Sequence, residues 1–335
     1  MQALQLDVIN QPVVLREVPT PTPGPGEILI DLRAAALNHR DVWIQKGQYA
    51  GIKLPRTLGS DGAGTVAAHG PDVPAGAPAV GSRVLINPGY HWGDNPRVQA
   101  KEFTILGMPH DGTFAQQITV PARYVHPLPA HLSFEQGAAL PLGGVTAYRA
   151  AFTRAQVQAG ERVLITGVGG GVALLALQLC AARGAEVWAT SGSNDKLARA
   201  QTLGARGGIN YKADNWAADL AKQAGGGFDV IIDSAAGPGF PALLDAAAAG
   251  GRIVFYGGTL GAIPQLPPAK VFWKQLSILG STMGTEQDFA EMLALVSESK
   301  LVPVVDQVFP LAEGDQALRR LEQGQQFGKI VLQIA

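Results

Sequence analysis

Arg162-Val-Leu-Ile-Thr-Gly-Val-Gly-Gly-Gly-Val-Ala-Leu-Leu-Ala-Leu-Gln-Leu-Cys180 decides how the rest of this chain is read. It opens with an apolar run of strand composition at residues 163–166. Four glycines within five residues follow, Gly167, Gly169, Gly170 and Gly171, and then an apolar segment of helical length at residues 172–182. Strand, glycine turn and helix together form the setting a dinucleotide fingerprint needs. Glycine lets the backbone turn tightly and come close to a pyrophosphate. The unpaired N–H groups of the first helical turn, which begins near Val172, then point at that anion. Ala173 stands where a third glycine is often found, and a methyl is tolerable there because that position mainly sets how closely helix and strand pack. Glycine-rich turns are also common on their own, and 42 of the 335 residues are Gly, so the motif needs support from its surroundings.

The segments after the motif supply that support. Residues 186–190, 208–211, 228–233, 252–257 and 276–280 have strand composition. Helical stretches at 194–203, 216–224 and 240–249 separate them. Alternation of this kind predicts a parallel, doubly wound sheet. Upstream, residues 1–125 read as β-rich. Pro21-Thr-Pro-Gly-Pro-Gly26 is a turn cluster, residues 27–33 alternate like a half-buried strand, and further strands are expected near 65–68, 80–86 and 114–120. Residues 87–112 read as a long irregular stretch, functional or interfacial at that length. Ser133 and Gln136 form a plausible capping box, with Pro141 and two glycines expected to interrupt the helix before residues 145–152. In the tail, a helix near 287–297 precedes a final strand at 329–334.

A length of 335 residues exceeds the usual limit for a single core, so two domains are expected. A net charge of −1 with no long basic run gives no support for a nucleic-acid or anionic-membrane partner. No apolar stretch reaches the length of a membrane span, and residues 1–7 lack the pattern of a secretory signal. One cysteine excludes an intrachain disulfide. A cytoplasmic enzyme is the expectation, although many other soluble proteins share these properties.

An NAD site usually carries an acid at the end of the second strand to bind the ribose 2′-OH. Counting about 20 residues from Gly167 reaches Glu186, but Glu186 starts its strand and points away from the ligand edge. The strand's carboxyl end reads Thr190-Ser191-Gly192-Ser193, with no acid. Lys196 follows, and Tyr211-Lys212 ends the next strand. Small hydroxyls and a cation suit a 2′-phosphate better than a carboxylate would. NADP(H) is therefore the expected cofactor, with Ser191, Lys196 and Tyr211 near its phosphate. The plainer reading of Lys196 is an ordinary solvated helix residue.

The chain resembles the medium-chain dehydrogenase/reductase superfamily, especially its quinone oxidoreductase and zinc-lacking alcohol dehydrogenase-like branch. The resemblance covers nearly the whole length. It rests on Ala36-Leu-Asn-His-Arg-Asp-Val-Trp43 with Lys46-Gly47, on Leu58-Gly-Ser-Asp-Gly-Ala-Gly64 and on Asp111-Gly-Thr-Phe-Ala-Gln116. Ala139-Leu-Pro-Leu-Gly-Gly-Val-Thr-Ala-Tyr148, the glycine motif, Leu279-Gly-Ser-Thr-Met-Gly284 and Gly328-Lys329 extend it. It implies an α/β protein in which a GroES-like β-rich catalytic domain, residues 1–125 returning at 284–335, flanks a Rossmann NADP(H)-binding domain at 126–283. It further implies an active site in the cleft and a homodimer, with residues 254–266 as the candidate interface.

Departures from the family pattern bear on the chemistry. In zinc-dependent members a Cys occupies the position of Asn38, and a His-Glu pair those of Ser60-Asp61. Neither Asn nor Ser is a good zinc ligand. Members with structural zinc carry four close cysteines in the lobe corresponding to 87–112, where this chain has none. His91 and His110 fall in that lobe without paired ligand spacing, and Cys180 reads as a small core residue. No metal is therefore expected.

Without a Lewis acid the acceptor must already be electrophilic, or side-chain donors must polarise it. The resemblance thus implies NADPH-dependent reduction of a quinone or an α,β-unsaturated carbonyl. It places Asn38 at the nicotinamide end, where it would bond the ribose or the substrate oxygen. Asp41 is structural or orienting. Tyr49 is a candidate proton donor, and Trp43 and Ser60 line the substrate, with core packing the bland reading of Trp43. Thr146, Gly257, Gly258 and Thr259 are expected near the nicotinamide, with Met283 and Lys329 as weaker cofactor contacts. Two rivals stay open: a metal-dependent alcohol dehydrogenase with unorthodox ligands, and a non-catalytic NADPH-binding sensor.

Overall fold

The computed structural model describes residues 1–334, which form two compact units. One comprises residues 1–143, 285–293 and those from 302 onward; the other comprises residues 144–284 and 294–301.

The inner unit is built on a six-stranded sheet in the order Gly207–Asn210, Glu186–Ser191, Arg162–Ile165, Phe228–Asp233, Ala247–Phe255, Ser277–Gly280. Every pairing in it is parallel. This is the doubly wound Rossmann arrangement expected from the alternation. Its central strands are apolar without a break: Val163, Leu164 and Ile165 are fully buried, as are Val230, Ile231 and Ile232. Parallel strands covered by helices on both faces require such runs. The strand order reverses between Arg162–Ile165 and Phe228–Asp233, so the crevice beyond their carboxyl ends is where a doubly wound sheet binds ligand.

The outer unit is antiparallel for the most part. Its main sheet runs Val125–Pro127, Arg83–Ile86, Asp61–His69, Glu27–Ala36, Lys329–Gln333, Val305–Pro310, with Gln117–Pro121 also paired to Glu27–Ala36. A smaller sheet joins Val14–Glu17, Gln2–Leu6 and Arg56–Thr57. The C-terminal strand enters this sheet in register Val331↔Ala36 and Leu332↔Ala35, and the Leu37 amide continues the ladder by donating to the Ile330 carbonyl at 3.0 Å. Lys329 is thereby brought level with Asn38. On the other side of the same strand, Ala36 pairs with Asp61. Three residues distant in sequence converge at one end of three adjacent strands.

Several sequence expectations need correction. The interruption expected at Pro141 is present, between helices Phe134–Ala138 and Pro141–Tyr148, but Gly143 and Gly144 take no part in it; they lie inside the second helix, where Pro141 is the first residue and its missing N–H costs nothing. The next turn widens, with the Ala155 amide reaching back five residues to the Ala150 carbonyl. Residues 87–112 are less irregular than their composition suggests. Gly89–Tyr90 and Thr104–Ile105 pair, and Tyr90, Leu106 and Met108 join the core of the outer unit. Helices His39–Gln45 and Gly314–Glu322 and strand Val305–Pro310 were not anticipated. The capping box forms as expected, Ser133 Oγ accepting from the Gln136 amide and Gln136 Oε1 from the Ser133 amide. None of the described helices is long and apolar enough to cross a membrane.

Close approach of the two longest strands of the outer unit fixes Gly64. A methyl there would lie 2.1 Å from the Asp31 carbonyl oxygen, a backbone atom that cannot swing aside. Gly64→Ala is therefore expected to cost at least about 2 kcal/mol of stability. Urea unfolding would read this as a lowered midpoint, and an unchanged midpoint would show that the ladder relaxes.

Candidate functional site

In the inner unit the glycine motif forms the turn its residues require. Gly167 and Gly169 take φ of 63° and 137°, left-handed values that side chains resist. Thr190, at the end of the second strand, holds the turn: its carbonyl accepts from the Val168 amide at 2.7 Å and its hydroxyl from Gly167 at 3.3 Å. The Gly171–Ala182 helix then begins with no side chain capping its N-terminus. Gly170, the residue before it, and Gly171 and Val172 in its first turn thus form a cradle open to an anion.

The residues expected around a ribose phosphate gather beside this cradle. A methyl on Gly169 would meet the Lys196 Cδ at 2.8 Å and Nζ at 3.4 Å, so the lysine stem lies along the turn. A methyl on Gly192 would meet the Tyr211 hydroxyl at 2.7 Å and the Lys212 Cε at 3.3 Å. Ser191 is buried at the strand end, its hydroxyl accepting from the Ser193 amide. Glu186 lies at the opposite end of the strand, where it accepts from the Trp188 indole and pairs with Arg206. The residues present fit a dinucleotide.

Asp233, which sequence reasoning passed over, organises the neighbouring strand end. One carboxylate oxygen accepts from the Thr166 hydroxyl at 2.6 Å, and the other from the Ala235 and Ala236 amides at 3.2 and 2.7 Å. This grip holds Ala236 at φ 53° and ψ −131°, a conformation that only glycine adopts freely. Beyond it, Gly257 packs on the Ser234 carbonyl, and Gly257 and Gly258 line a hollow of about 460 Å³ with Ala236, Tyr256 and Ser281. Thr259 is exposed. Thr146 is buried with its hydroxyl 3.9 Å from the Met283 sulfur.

In the outer unit, Asn38 precedes the His39–Gln45 helix, and Asp41 closes that helix's first turn by accepting from the Asn38 amide at 2.7 Å. Asp41 is fully buried, and its second oxygen has no partner. In this geometry Asp41 caps the start of the helix. The Asn38 side chain donates to Asp61 at 2.9 Å and accepts from the Lys329 ammonium at 2.6 Å, and Lys329 also reaches Asp61 at 3.0 Å. The remaining Asp61 oxygen accepts from the Leu142 amide at 2.7 Å. Lys329, expected as a cofactor contact, is thus joined to Asn38. The Ser60 hydroxyl, expected to face substrate, is fully buried, donating to the Leu106 carbonyl and accepting from Arg40 at 2.6 Å. Arg40 is the other residue sequence reasoning missed: its buried guanidinium also donates to the Leu106 carbonyl and lies 5.0 Å from the Tyr49 ring centre. Tyr49 and Trp43 are half-buried, Trp43 with its ring 6.3 Å from that of His39.

These residues do not fit a zinc ion. The Asn38 amide and the Asp61 carboxylate already hold an ammonium, so a second cation there would face Lys329 at close range. The Ser60 hydroxyl is engaged with Arg40. Among the described residues, no three His, Cys, Asp or Glu side chains converge as a metal site.

Burial pushes the Asp41 carboxyl up to about 6 from an ordinary 3.8, against the opposing pull of Arg40, the Asn38 amide and Lys329. A raised carboxyl favours folding while protonated. Its contribution is complete below about pH 4 and is lost as pH rises through about 6. Asp41→Asn cannot ionise, so its stability relative to the native chain should improve by on the order of 2 kcal/mol between about pH 4 and pH 7.5. Denaturation at both pH values measures this, and a pH-independent difference would refute it.

Known proteins agree with this architecture. A family model described as an alcohol dehydrogenase GroES-like domain matches residues 24–130, and one described as a zinc-binding dehydrogenase matches residues 171–298. The chain is 36% identical to the zinc-type alcohol dehydrogenase-like protein YogA of Leptosphaeria maculans, over 97% of this chain and 96% of that one. It is 30% identical to the quinone oxidoreductase of Homo sapiens, over 99% and 97% of the two chains. A crystal structure of an NAD-dependent alcohol dehydrogenase superposes with a TM-score of 0.95 at 40% identity, covering 100% of both chains. Relatives this similar, matched from end to end, establish that the chain belongs to the medium-chain dehydrogenase/reductase superfamily of nicotinamide-dependent oxidoreductases.

Proposed function

We propose that this chain is an NADPH-dependent reductase of quinones or α,β-unsaturated carbonyls that works without zinc. The observation carrying the cofactor choice is the carboxyl end of the Glu186–Ser191 strand. It bears no acid, and Lys196, Tyr211 and Lys212 crowd the glycines beside it. The Asn194 and Asn210 side chains bond at 3.2 Å and tie the two loops together. A ribose 2′-phosphate would find cations and a hydroxyl there, and a bare 2′-OH would find no carboxylate.

When bound, the reduced nicotinamide supplies a hydride. The chain's own part is to bind, orient and polarise. Quinones and enones suit a site whose donors are N–H and O–H groups, because the arriving hydride leaves a delocalised anion that needs no Lewis acid. Asn38 offers an amide, Tyr49 a half-buried hydroxyl and Trp43 an aromatic surface, all on or beside one helix.

A second reading, NAD-linked alcohol oxidation, is favoured by the name of the solved relative at 40% identity. Two assays on purified protein separate the readings: NADPH and NADH oxidation with a panel of quinones and enones, and NAD(P)⁺ reduction with alcohols. Stoichiometric zinc together with alcohol turnover would favour the second. Tight NADPH binding with no acceptor reduced would favour a sensor.

Lys196→Ala is expected to raise the KM for NADPH about 10–100-fold, the loss of one charge-assisted hydrogen bond, while the KM for NADH changes less than about threefold by the same reasoning. Equal effects on the two would remove Lys196 from the phosphate. A homodimer is proposed through residues 254–266, where Leu260 and Leu266 are exposed. Light scattering should give twice the chain mass.

A further inference from the structure

Within the outer unit, one edge of the Glu27–Ala36 strand changes partner partway along. Gln117–Pro121 pairs with it as far as Asp31↔Gln117, and Lys329–Gln333 takes over at Ala34↔Gln333. On the opposite edge the register with Asp61–His69 passes from Leu32↔Gly64 to Ala34↔Ala63, which leaves Arg33 as an extra residue without a partner there. A bulge of this kind bends its strand and re-aims a side chain. The sheet therefore forks, and a hollow of about 430 Å³ lies at the fork, lined by Thr20, Asp31, Arg33, Gln116 and Gln117 among others. Asp31, Gln116 and Gln117 are half-buried and Arg33 is exposed. Gln117 Nε2 donates to Asp31 Oδ1 at 2.6 Å, and Gln116 Oε1 accepts from the Gln2 amide at 2.8 Å. Each bond fixes how its side-chain amide is turned, because a carboxylate only accepts and a backbone N–H only donates. Gln117 thus has its carbonyl oxygen left over, and Gln116 its NH₂ group. The second Asp31 oxygen and the Arg33 guanidinium have no hydrogen bond or ion pair among the described residues. The lining therefore offers two acceptors, one of them charged, and two donors, one of them charged. Asp31 and Arg33 stand two apart on one strand, roughly 6–7 Å along it, and do not pair with each other.

We infer that this hollow is a binding site for a small zwitterion, a free α-amino acid. The Arg33 guanidinium and the Gln116 NH₂ group donate to its carboxylate, while the free Asp31 oxygen and the Gln117 carbonyl accept from its ammonium. Hydrogen bonds to ionised groups are shorter and stronger than neutral ones. A ligand carrying both charges on one carbon can bridge the two side chains across the strand spacing. A lone anion would meet the Asp31 carboxylate as well as Arg33, and a lone cation would meet Arg33 as well as Asp31, so opposing charge discriminates against both. The site lies wholly in the outer unit. It depends neither on the cofactor choice nor on the acceptor proposed above.

The test is ligand-observed NMR titration of the full chain with each of the protein amino acids, and with acetate and methylamine, which carry one of the two charges apiece. A Kd of about 1 mM is expected for the best amino acid, the affinity that two charge-assisted bonds supply. Acetate and methylamine should each bind at least about tenfold more weakly. Arg33→Gln and Asp31→Asn should each weaken the best amino acid about tenfold or more, with the urea midpoint unchanged. If Asp31→Asn lowers that midpoint through the Gln117 bond, Arg33→Gln decides alone, because no hydrogen bond of the fold uses the Arg33 guanidinium. Acetate binding as tightly as the best amino acid would overturn the zwitterion in favour of a plain anion. Equal affinity in the native chain and Arg33→Gln, or no saturable binding by any amino acid, would overturn the site itself.

Discussion

A buried ammonium against a buried carboxylate, Lys329 on Asp61, governs the end of the outer sheet. Both ions lie almost entirely out of water, the lysine side chain 6% exposed and the aspartate 0%. Such a pair contributes little net stability, because desolvation offsets the attraction, but removing one partner leaves a bare charge and costs several kcal/mol. The pair therefore acts as a constraint. It requires the Lys329–Gln333 strand in one register, the Asp61–His69 strand beside it, and polar partners for the remaining lone pairs. Asn38 and the Leu142 amide supply those partners. The helix bearing Trp43 starts from this point, and Asp41 fixes that start by holding the Asn38 amide.

In the inner unit the corresponding constraint is a set of hydrogen bonds rather than an ion pair. The Thr166 hydroxyl and the Asp233 carboxylate join the ends of two adjacent parallel strands at the place where strand order reverses. Asp233 then uses its second oxygen to hold the turn after its own strand, including the strained Ala236. The glycine turn on one side and the hollow on the other are shaped by the same two side chains. Strain of this sort persists only where surrounding bonds over-determine the backbone, and here three hydrogen bonds converge on one carboxylate.

The inner unit was largely legible in the sequence because its signals are local. A glycine turn sits between its strand and its helix, and each apolar run declares a buried strand, so alternation is enough to give the doubly wound sheet. The missing acid after Glu186–Ser191 was readable for the same reason. The outer site was legible only in part. Asn38 was singled out, yet what it bonds lies at Asp61 and Lys329, and no periodicity links residues so far apart. Arg40 was not legible, since nothing local says that its guanidinium turns inward toward the Leu106 carbonyl. The glycines at 143 and 144 misled because propensity penalises them in helices, while tertiary packing overrides that penalty. Residues 87–112 misled similarly. Their proline and glycine content reads as loop, but Tyr90, Leu106 and Met108 anchor them in the core.

The outer unit is discontinuous in sequence: its long central strand, Glu27–Ala36, pairs with one that lies at the far end of the chain. On the ribosome, the last strand of the inner sheet, Ser277–Gly280, emerges well before Lys329–Gln333 does. The inner sheet can close early, whereas its companion must wait with backbone groups of residues 34–36 uncovered. An open strand edge of that kind invites pairing with other chains, so the nascent protein is vulnerable to aggregation in the interval before residues 329–333 arrive.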